Sequence, residues 1–170
     1  MSAEPQTPMF SGSEFKSLDP KFRLTIPMKF KEQLLLDPSG AEKVVVSRWE
    51  NECLAVHPLT EWSRVMQRIN RGAKGAAKRK YRTVFLGTAQ QLDLDKQNRI
   101  LLPQALRDWA GIKRDVVLVG DIARFAIWDA ARWAEHSGDM SAEDYANVVD
   151  LANADDDWGP SPSGDNAPGM

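Results

Sequence analysis

Asp95 and Arg99 stand four residues apart in "LDKQNRILLP", Leu94–Pro103, where a charged turn interrupts an apolar stretch. Asp19 and Arg23 keep the same spacing in "LDPKFRLTIP", Leu18–Pro27, at a constant offset of 76. An aspartate at the head of a tight turn accepts hydrogen bonds from backbone N–H groups two or three residues on, which fixes the loop. The arginine that follows is either held by that carboxylate, stapling a hairpin, or projected outward. Two copies flanked by Lys16, Lys21, Lys29, Lys31, Lys96 and Arg107 present a repeated cationic element. Such an element suits repeated phosphates or guanine edges.

Other chemistry finds little support. His57 and His136 are the two histidines, and with Cys53 they show no zinc-ligand spacing. His57 precedes Pro58 at a strand end, a packing or surface position. There is no Gly-rich phosphate loop of the Walker or dinucleotide type and no Gly-x-Ser-x-Gly elbow. Asp19 and Asp95 as a paired acid and base would need one carboxyl with a raised pKa, yet each has an arginine at hand to keep it ionised. The acidic triplet Asp155–Asp157 reads as a solvated tail rather than a cation site. The expectation is therefore a protein that is not an enzyme, with no catalytic residue, no metal ligand, no cofactor and no small-molecule substrate.

The elements that must position the twin turns are themselves duplicated. Leu18–Lys31 and Leu94–Arg107 share Leu18/Leu94, Asp19/Asp95, Arg23/Arg99 and Pro27/Pro103 identically, and four further pairs conservatively. After a few residues of slippage, "KVVVSRWENECLAVHPLTEW" parallels "DVVLVGDIARFAIWDAARW". Each copy reads as a strand running into the turn, then a short strand ending at a proline that cannot continue a central ladder. A short amphipathic helix follows ("PMKFKEQLL" and "PQALRDWAG"), the second capped by Gly111. Two strands come next, Val44–Ser47 and Leu54–His57 in one copy, Val116–Val119 and Phe125–Trp128 in the other. A closing helix is expected from about Thr60 to Arg71, and from Asp129, a candidate N-cap, to about His136.

Between the copies, Arg64–Arg82 holds eight basic residues and no acid. Gly72 and Gly75 break it into two helical pieces, either a solvated pair or a source of phosphate contacts. "SAEDYANVVDLA" reads as a last helix, with Ser141 and Asp144 spaced as a capping box. From Asn153 the composition turns to Asp, Gly, Pro and Ser, as in disordered tails.

The 170 residues, 42% of them hydrophobic, suit one domain or two small ones sharing a core, and the apolar runs are too short to span a membrane. "MSAEPQTPMF" lacks the basic and apolar regions of a secretory signal, and a lone Cys53 fits a reducing cytoplasm. The net charge of −2 hides a split: residues 135–170 carry nine acids and no Lys or Arg, leaving residues 1–134 with 22 basic against 15 acidic, or +7. A basic body suggests a polyanion partner, with the acidic tail as a modulator or a solvated appendage.

Several stretches in order carry a family resemblance. They are "MF-G-E" at Met9–Glu14, the two turns, "CLAVHPLTEW" at Cys53–Trp62, "FLGTAQQLDLDKQNRILLP" at Phe85–Pro103 and "VVLVGDIARFAIWDAARW" at Val116–Trp133. Over residues 9–136 the chain resembles the MraZ family of bacterial regulators. The resemblance implies an α+β fold with a mainly β core: two tandem AbrB-like βαββα half-units forming an intertwined β-barrel with flanking helices. The divisions are 9–62 and 85–136 for the half-units, 63–84 for a basic helical connector, 137–152 for a C-terminal helix and 153–170 for a disordered acidic tail. It also implies a sequence-specific DNA-binding transcriptional regulator, cytoplasmic and nucleoid-associated. Such a regulator forms a homo-oligomeric ring on short direct repeats in the promoter of the division and cell-wall gene cluster.

Carried over residue by residue, Arg23 and Arg99 are DNA contacts, joined by Lys21, Lys96 and Gln97, while Asp19, Asp95 and Asn98 shape the loops. The family usually has glycine before the arginine. Asn98 is the next best residue for positive φ, whereas Phe22 meets a steric penalty there or forces another turn. Phe22 then packs, or inserts beside a base or sugar. AbrB-type folds also serve as antitoxins, so a protein-interaction module is the alternative.

Overall fold

Backbone hydrogen bonds interleave the two repeats strand by strand. The structure, a computed structural model, describes residues 6–72 and 74–154. The first repeat contributes β1 (Ser13–Ser17), β2 (Arg23–Thr25), α1 (Met28–Leu34), β3 (Lys43–Arg48) and β4 (Leu54–Pro58). The helices α2 (Leu59–Gly72) and α3 (Ala76–Thr88) follow. The second repeat contributes β5 (Gln90–Asp93), β6 (Arg99–Leu101), α4 (Gln104–Ala110), β7 (Asp115–Asp121), β8 (Arg124–Asp129) and α5 (Ala130–Ser137). The chain divides into two compact units between Ala134 and Glu135, and α6 (Ala142–Asn153) lies in the second.

Six strands form one antiparallel sheet in the order β1-β7-β8-β4-β3-β5, and β2 pairs with β6 in a separate two-stranded ribbon. Exchanging the repeats reverses the sheet order and returns the ribbon to itself, so the duplication is a pseudo-two-fold of the fold. Each repeat sends its first strand to the other: β1 onto β7, with Phe15 opposite Val117, and β5 onto β3, with Leu92 opposite Val44. The sheets are open, with β1 and β5 at the edges of the larger one.

The core sits between the ribbon, the short helices and the sheet. Leu24 and Ile100, facing each other across the ribbon, are wholly buried, as are Phe30 and Leu34 of α1 and Leu106 of α4. Each such side chain contributes about 1.5–3 kcal/mol relative to exposure. Phe30 stacks on Phe125 at 4.8 Å, and Phe10 closes the cluster 5.2 Å from Phe125.

Local signals in the sequence hold. Pro27 and Pro103 both precede their helices with ψ of 146°, ending the ribbon strands. Gly111 caps α4 at φ +63°, and the Asp129 carboxylate accepts the Arg132 N–H at 3.2 Å at the head of α5. Ser141 and Asp144 form the reciprocal capping box of α6. The basic segment is two helices with a break, but α3 continues through Phe85 to Thr88. Phe85 and Leu86 pack there against the Val45–Trp62–Val65 cluster, which holds the helical turn in place. The tail expected to be disordered lies outside the described residues from Asp155 onward; Asn153 itself ends α6. Among the described residues, no helix is long and apolar enough to cross a membrane.

Candidate nucleic-acid interface

The two Asp-x-x-x-Arg turns fold identically, bond for bond. In the first, the Asp19 N–H donates to the Arg23 carbonyl at 3.0 Å and the Phe22 N–H donates to the Asp19 carbonyl at 2.9 Å. Asp19 Oδ1 accepts the backbone N–H groups of Lys21 and Arg23, both at 2.9 Å, and Oδ2 accepts Arg23 Nε at 2.6 Å. In the second, the Asp95 N–H donates to the Arg99 carbonyl at 2.9 Å and the Asn98 N–H to the Asp95 carbonyl at 3.0 Å. Asp95 Oδ1 accepts from Gln97 N–H at 2.8 Å and Arg99 N–H at 3.0 Å, while Oδ2 accepts Arg99 Nε at 2.8 Å.

Both carboxyls are held below the ordinary carboxylate range, chiefly by the backbone N–H of the following arginine. At neutral pH each is an anion that clamps its own loop. Sequence reasoning left open whether the arginine is held or projected, and the geometry shows both arginines held by their own aspartates, with their side chains only partly exposed. Nε is bound to the carboxylate, and the Nη edge of Arg23 carries no hydrogen bond among the described residues. A guanidinium fixed in this way presents a pre-oriented fork, the shape that pairs two donors with a phosphate or a guanine edge.

The ribbon brings the loops together. The Ile26 N–H donates to the Asn98 carbonyl at 2.8 Å and the Leu102 N–H to the Phe22 carbonyl at 3.1 Å. Arg99 Nη1 lies 4.0 Å from Asp19 Oδ2, so each arginine neighbours the first loop's carboxylate. Lys21, Lys96 and Gln97 sit exposed at the loop tips, and Arg23 and Arg99 are half-buried behind them.

Phe22 keeps the turn at φ +62°, beside +59° for Asn98, so the phenylalanine accepts the left-handed conformation and does not force another turn. The Arg107 guanidinium covers its ring at 3.6 Å from the centroid and donates from Nε to the Leu102 carbonyl at 3.0 Å. The expected packing role of Phe22 thus has a partner that sequence reasoning missed. Arg107 was visible only as one flanking cation; 85 positions separate it from Phe22, so no local spacing signalled the stack.

Elsewhere the polar core is structural. Burial and the nearby Arg124 push the His57 pKa down to about 3, leaving a neutral ring wedged between Trp49 and Trp62 and bonded through Nε2 to Ser47 Oγ at 2.9 Å. Buried Glu61 holds Arg68 at 2.7 Å and Arg124 at 3.2 Å. Burial pushes the Cys53 thiol up to about 12, and its Sγ donates to the Glu50 carbonyl. Among the described residues, no group of three acidic, histidine or cysteine side chains is arranged to hold a metal ion.

A duplicated strand–turn–strand unit with clamped arginines defines a two-repeat fold, and comparison with known proteins gives that fold a family. The family model described as "MraZ protein, putative antitoxin-like" matches residues 9–82 and again 85–152. The chain is 39% identical over 149 residues to a protein of Acidithiobacillus ferrooxidans, covering 84% of this chain and 99% of the relative. It is 37% identical over 145 residues to one of Acetivibrio thermocellus, covering 83% and 96%, and 33% identical over 140 residues to one of Escherichia coli, covering 81% and 91%. Each of these relatives bears the name "Transcriptional regulator MraZ". The chain belongs to the MraZ family.

Proposed function

We propose that this protein is a transcriptional regulator, not an enzyme, that binds double-stranded DNA through its twin loops. Arg23 and Arg99 are the principal contacts, assisted by Lys21, Lys96 and Gln97, with Asp19, Asp95 and Asn98 holding the loops. One observation carries the reading: the same clamped, arginine-bearing turn occurs twice on one ribbon, with the loops joined through Asp19 and Arg99. The names of its relatives support the regulatory role.

The finer reading follows the family resemblance. The half-units are AbrB-like, and the ribbon completes an intertwined barrel with the larger sheet. Support for that continuity comes from the N–H of Leu18 and of Leu94, which donate to the carbonyls of Arg114 and Glu42 at 2.8 Å each and tie the loops to the sheet. The protein acts in the cytoplasm, at the nucleoid, as a homo-oligomeric ring on short direct repeats upstream of the division and cell-wall genes. A groove of about 620 Å³ lined by Trp49, Tyr81, Val84, Phe85 and Trp109 is the proposed contact surface for self-association, because Tyr81 and Val84 stand exposed within it.

One bidentate arginine–guanine pair discriminates by only about 1–3 kcal/mol, so useful affinity requires many loops at once. Labelled duplexes from the organism's own upstream regions are the test. An Arg23→Ala/Arg99→Ala protein, with its backbone loop bonds intact, should bind the preferred duplex at least ~10-fold more weakly than the wild type. Equal affinity would place the contact face elsewhere.

The antitoxin-like wording of the family description favours a second reading, a module that masks a protein partner. A small protein co-purifying in stoichiometric amount from native cells would support that reading instead.

A further inference from the structure

The pseudo-two-fold makes the surroundings of the two loops comparable position by position, and they differ in charge. The equivalent bonds from Leu18 to the Arg114 carbonyl and from Leu94 to the Glu42 carbonyl put Arg114 beside the first loop where Glu42 stands beside the second. A hollow of about 270 Å³ at the first loop is lined by Leu18, Asp19, Pro20, Phe22, Lys113 and Arg114. Its one acid, Asp19, is already committed to Arg23. Lys113 and Arg114 are exposed and have no acidic partner among the described residues. The counterpart at the second loop, about 390 Å³, sets Lys31, Lys43 and Lys96 against Glu42, Asp93 and Asp95, with Lys43 paired to Asp93 at 3.2 Å. With each loop aspartate committed to its own arginine, the first hollow keeps two cations and no free acid, while the second sets three cations against Glu42 and Asp93.

The first hollow also has an apolar wall. Phe22 is 40% exposed, and Arg107 lies over its ring, which adds a third cation at the edge. Two unpaired cations beside an exposed aromatic ring match a phosphodiester and its sugar: the charges take the phosphate oxygens, and the ring takes the sugar's carbon face. We infer that the hollow formed by Phe22, Lys113 and Arg114 is a backbone-phosphate seat, and that the two loops divide their labour. The first loop anchors the DNA backbone, and the second, whose cations are largely offset by Glu42 and Asp93, is left to read base edges. This rests on the DNA-binding reading above and adds to it residues outside the Asp-x-x-x-Arg turns.

The test compares full-length wild type with Lys113→Gln/Arg114→Gln and with the reciprocal Glu42→Lys, on a preferred and a random duplex across a salt series. Each neutralised phosphate contact contributes about 0.9 to the slope of log K against log salt. The double variant should lower that slope by about 1–2 and weaken both duplexes by a similar factor. Glu42→Lys should raise the slope and tighten the random duplex. Neither substitution touches the core, and an unchanged melting curve certifies the fold.

Unchanged slope and affinity in the double variant, while Arg23→Ala/Arg99→Ala loses binding, would overturn the seat and leave the DNA reading standing. Weakening confined to the preferred duplex would also overturn it, because that is base readout. Inorganic phosphate that shifts the NMR signals of Lys113 and Arg114 without competing with DNA would mark an anion site unrelated to nucleic acid. A wild type that binds neither duplex would remove the DNA reading itself.

Discussion

At the scale of single residues, the two loops test how much one position can bear. Glycine would sit without cost at φ near +60°; a phenylalanine there costs roughly 1–2 kcal/mol. The Phe22 loop nevertheless keeps every backbone and Asp–Arg bond of its Asn98 twin, because the Asp19 carboxylate already fixes three donors and Arg107 covers the ring. The stack should be worth about 0.5–1 kcal/mol at this exposure. A double-mutant cycle measures it: Arg107→Ala should destabilise the wild type by that amount more than it destabilises a Phe22→Asn protein, in urea unfolding. Arg107→Lys separates the planar stack from the charge, since lysine keeps the cation but loses the flat face. Zero coupling would reduce the stack to a coincidence of packing. The sequence displayed the Asp–Arg spacing and the misfit of Phe22, because both are local. It did not display Arg107 above the ring or Arg99 beside Asp19, because those neighbours are set by strand pairing.

At the scale of elements, the repeat was legible in the residues themselves, whereas the interleaving entered only through the family resemblance. Alternating apolar residues, prolines and caps mark strands and short helices within each copy, and the observed elements fall within a residue or two of those marks. Nothing in such patterns says that β1 pairs with β7 rather than with a strand of its own repeat, since period-two alternation fits any partner. The extension of α3 to Thr88 has the same cause: Phe85 and Leu86 gain a tertiary partner that propensity does not show. The β1–β7 edge carries a close approach that depends on one glycine. The Gly120 N–H donates to the Gly12 carbonyl at 2.8 Å, and Phe10 exchanges two bonds with Ile122, at 2.7 and 3.0 Å. A Cβ at position 120 would collide with the backbone of Phe10 and Ser11, which no rotamer change relieves. Gly120→Ala should therefore cost about 1–3 kcal/mol, in part by drawing Phe10 off Phe30 and Phe125. Chemical denaturation reads this as a lower midpoint, and a wild-type midpoint would show that the N-terminal segment is free to move away.

At the scale of the whole molecule, the proposed DNA binding would depend on how many loops reach DNA together. One copy supplies two loops on one ribbon, too few for tight binding if each contact is worth a few kcal/mol. Linked loops raise the effective concentration of the next contact, so assembly and DNA binding should fall together. The open groove by α3 is where assembly should be vulnerable: Tyr81 is 70% exposed and Val84 50%, beside Trp49 and Trp109. Tyr81→Glu/Val84→Glu places two charges on that surface without entering the buried core. By light scattering the variant should have a smaller mass than the wild type while keeping its melting curve. Its affinity for a duplex with several repeats should drop more than ~10-fold, and its affinity for a single-repeat duplex should hardly change. Equal loss on both duplexes would mean that α3 itself touches DNA through its neighbouring cations. An unchanged mass would move the assembly surface elsewhere on the chain and leave the groove to another partner.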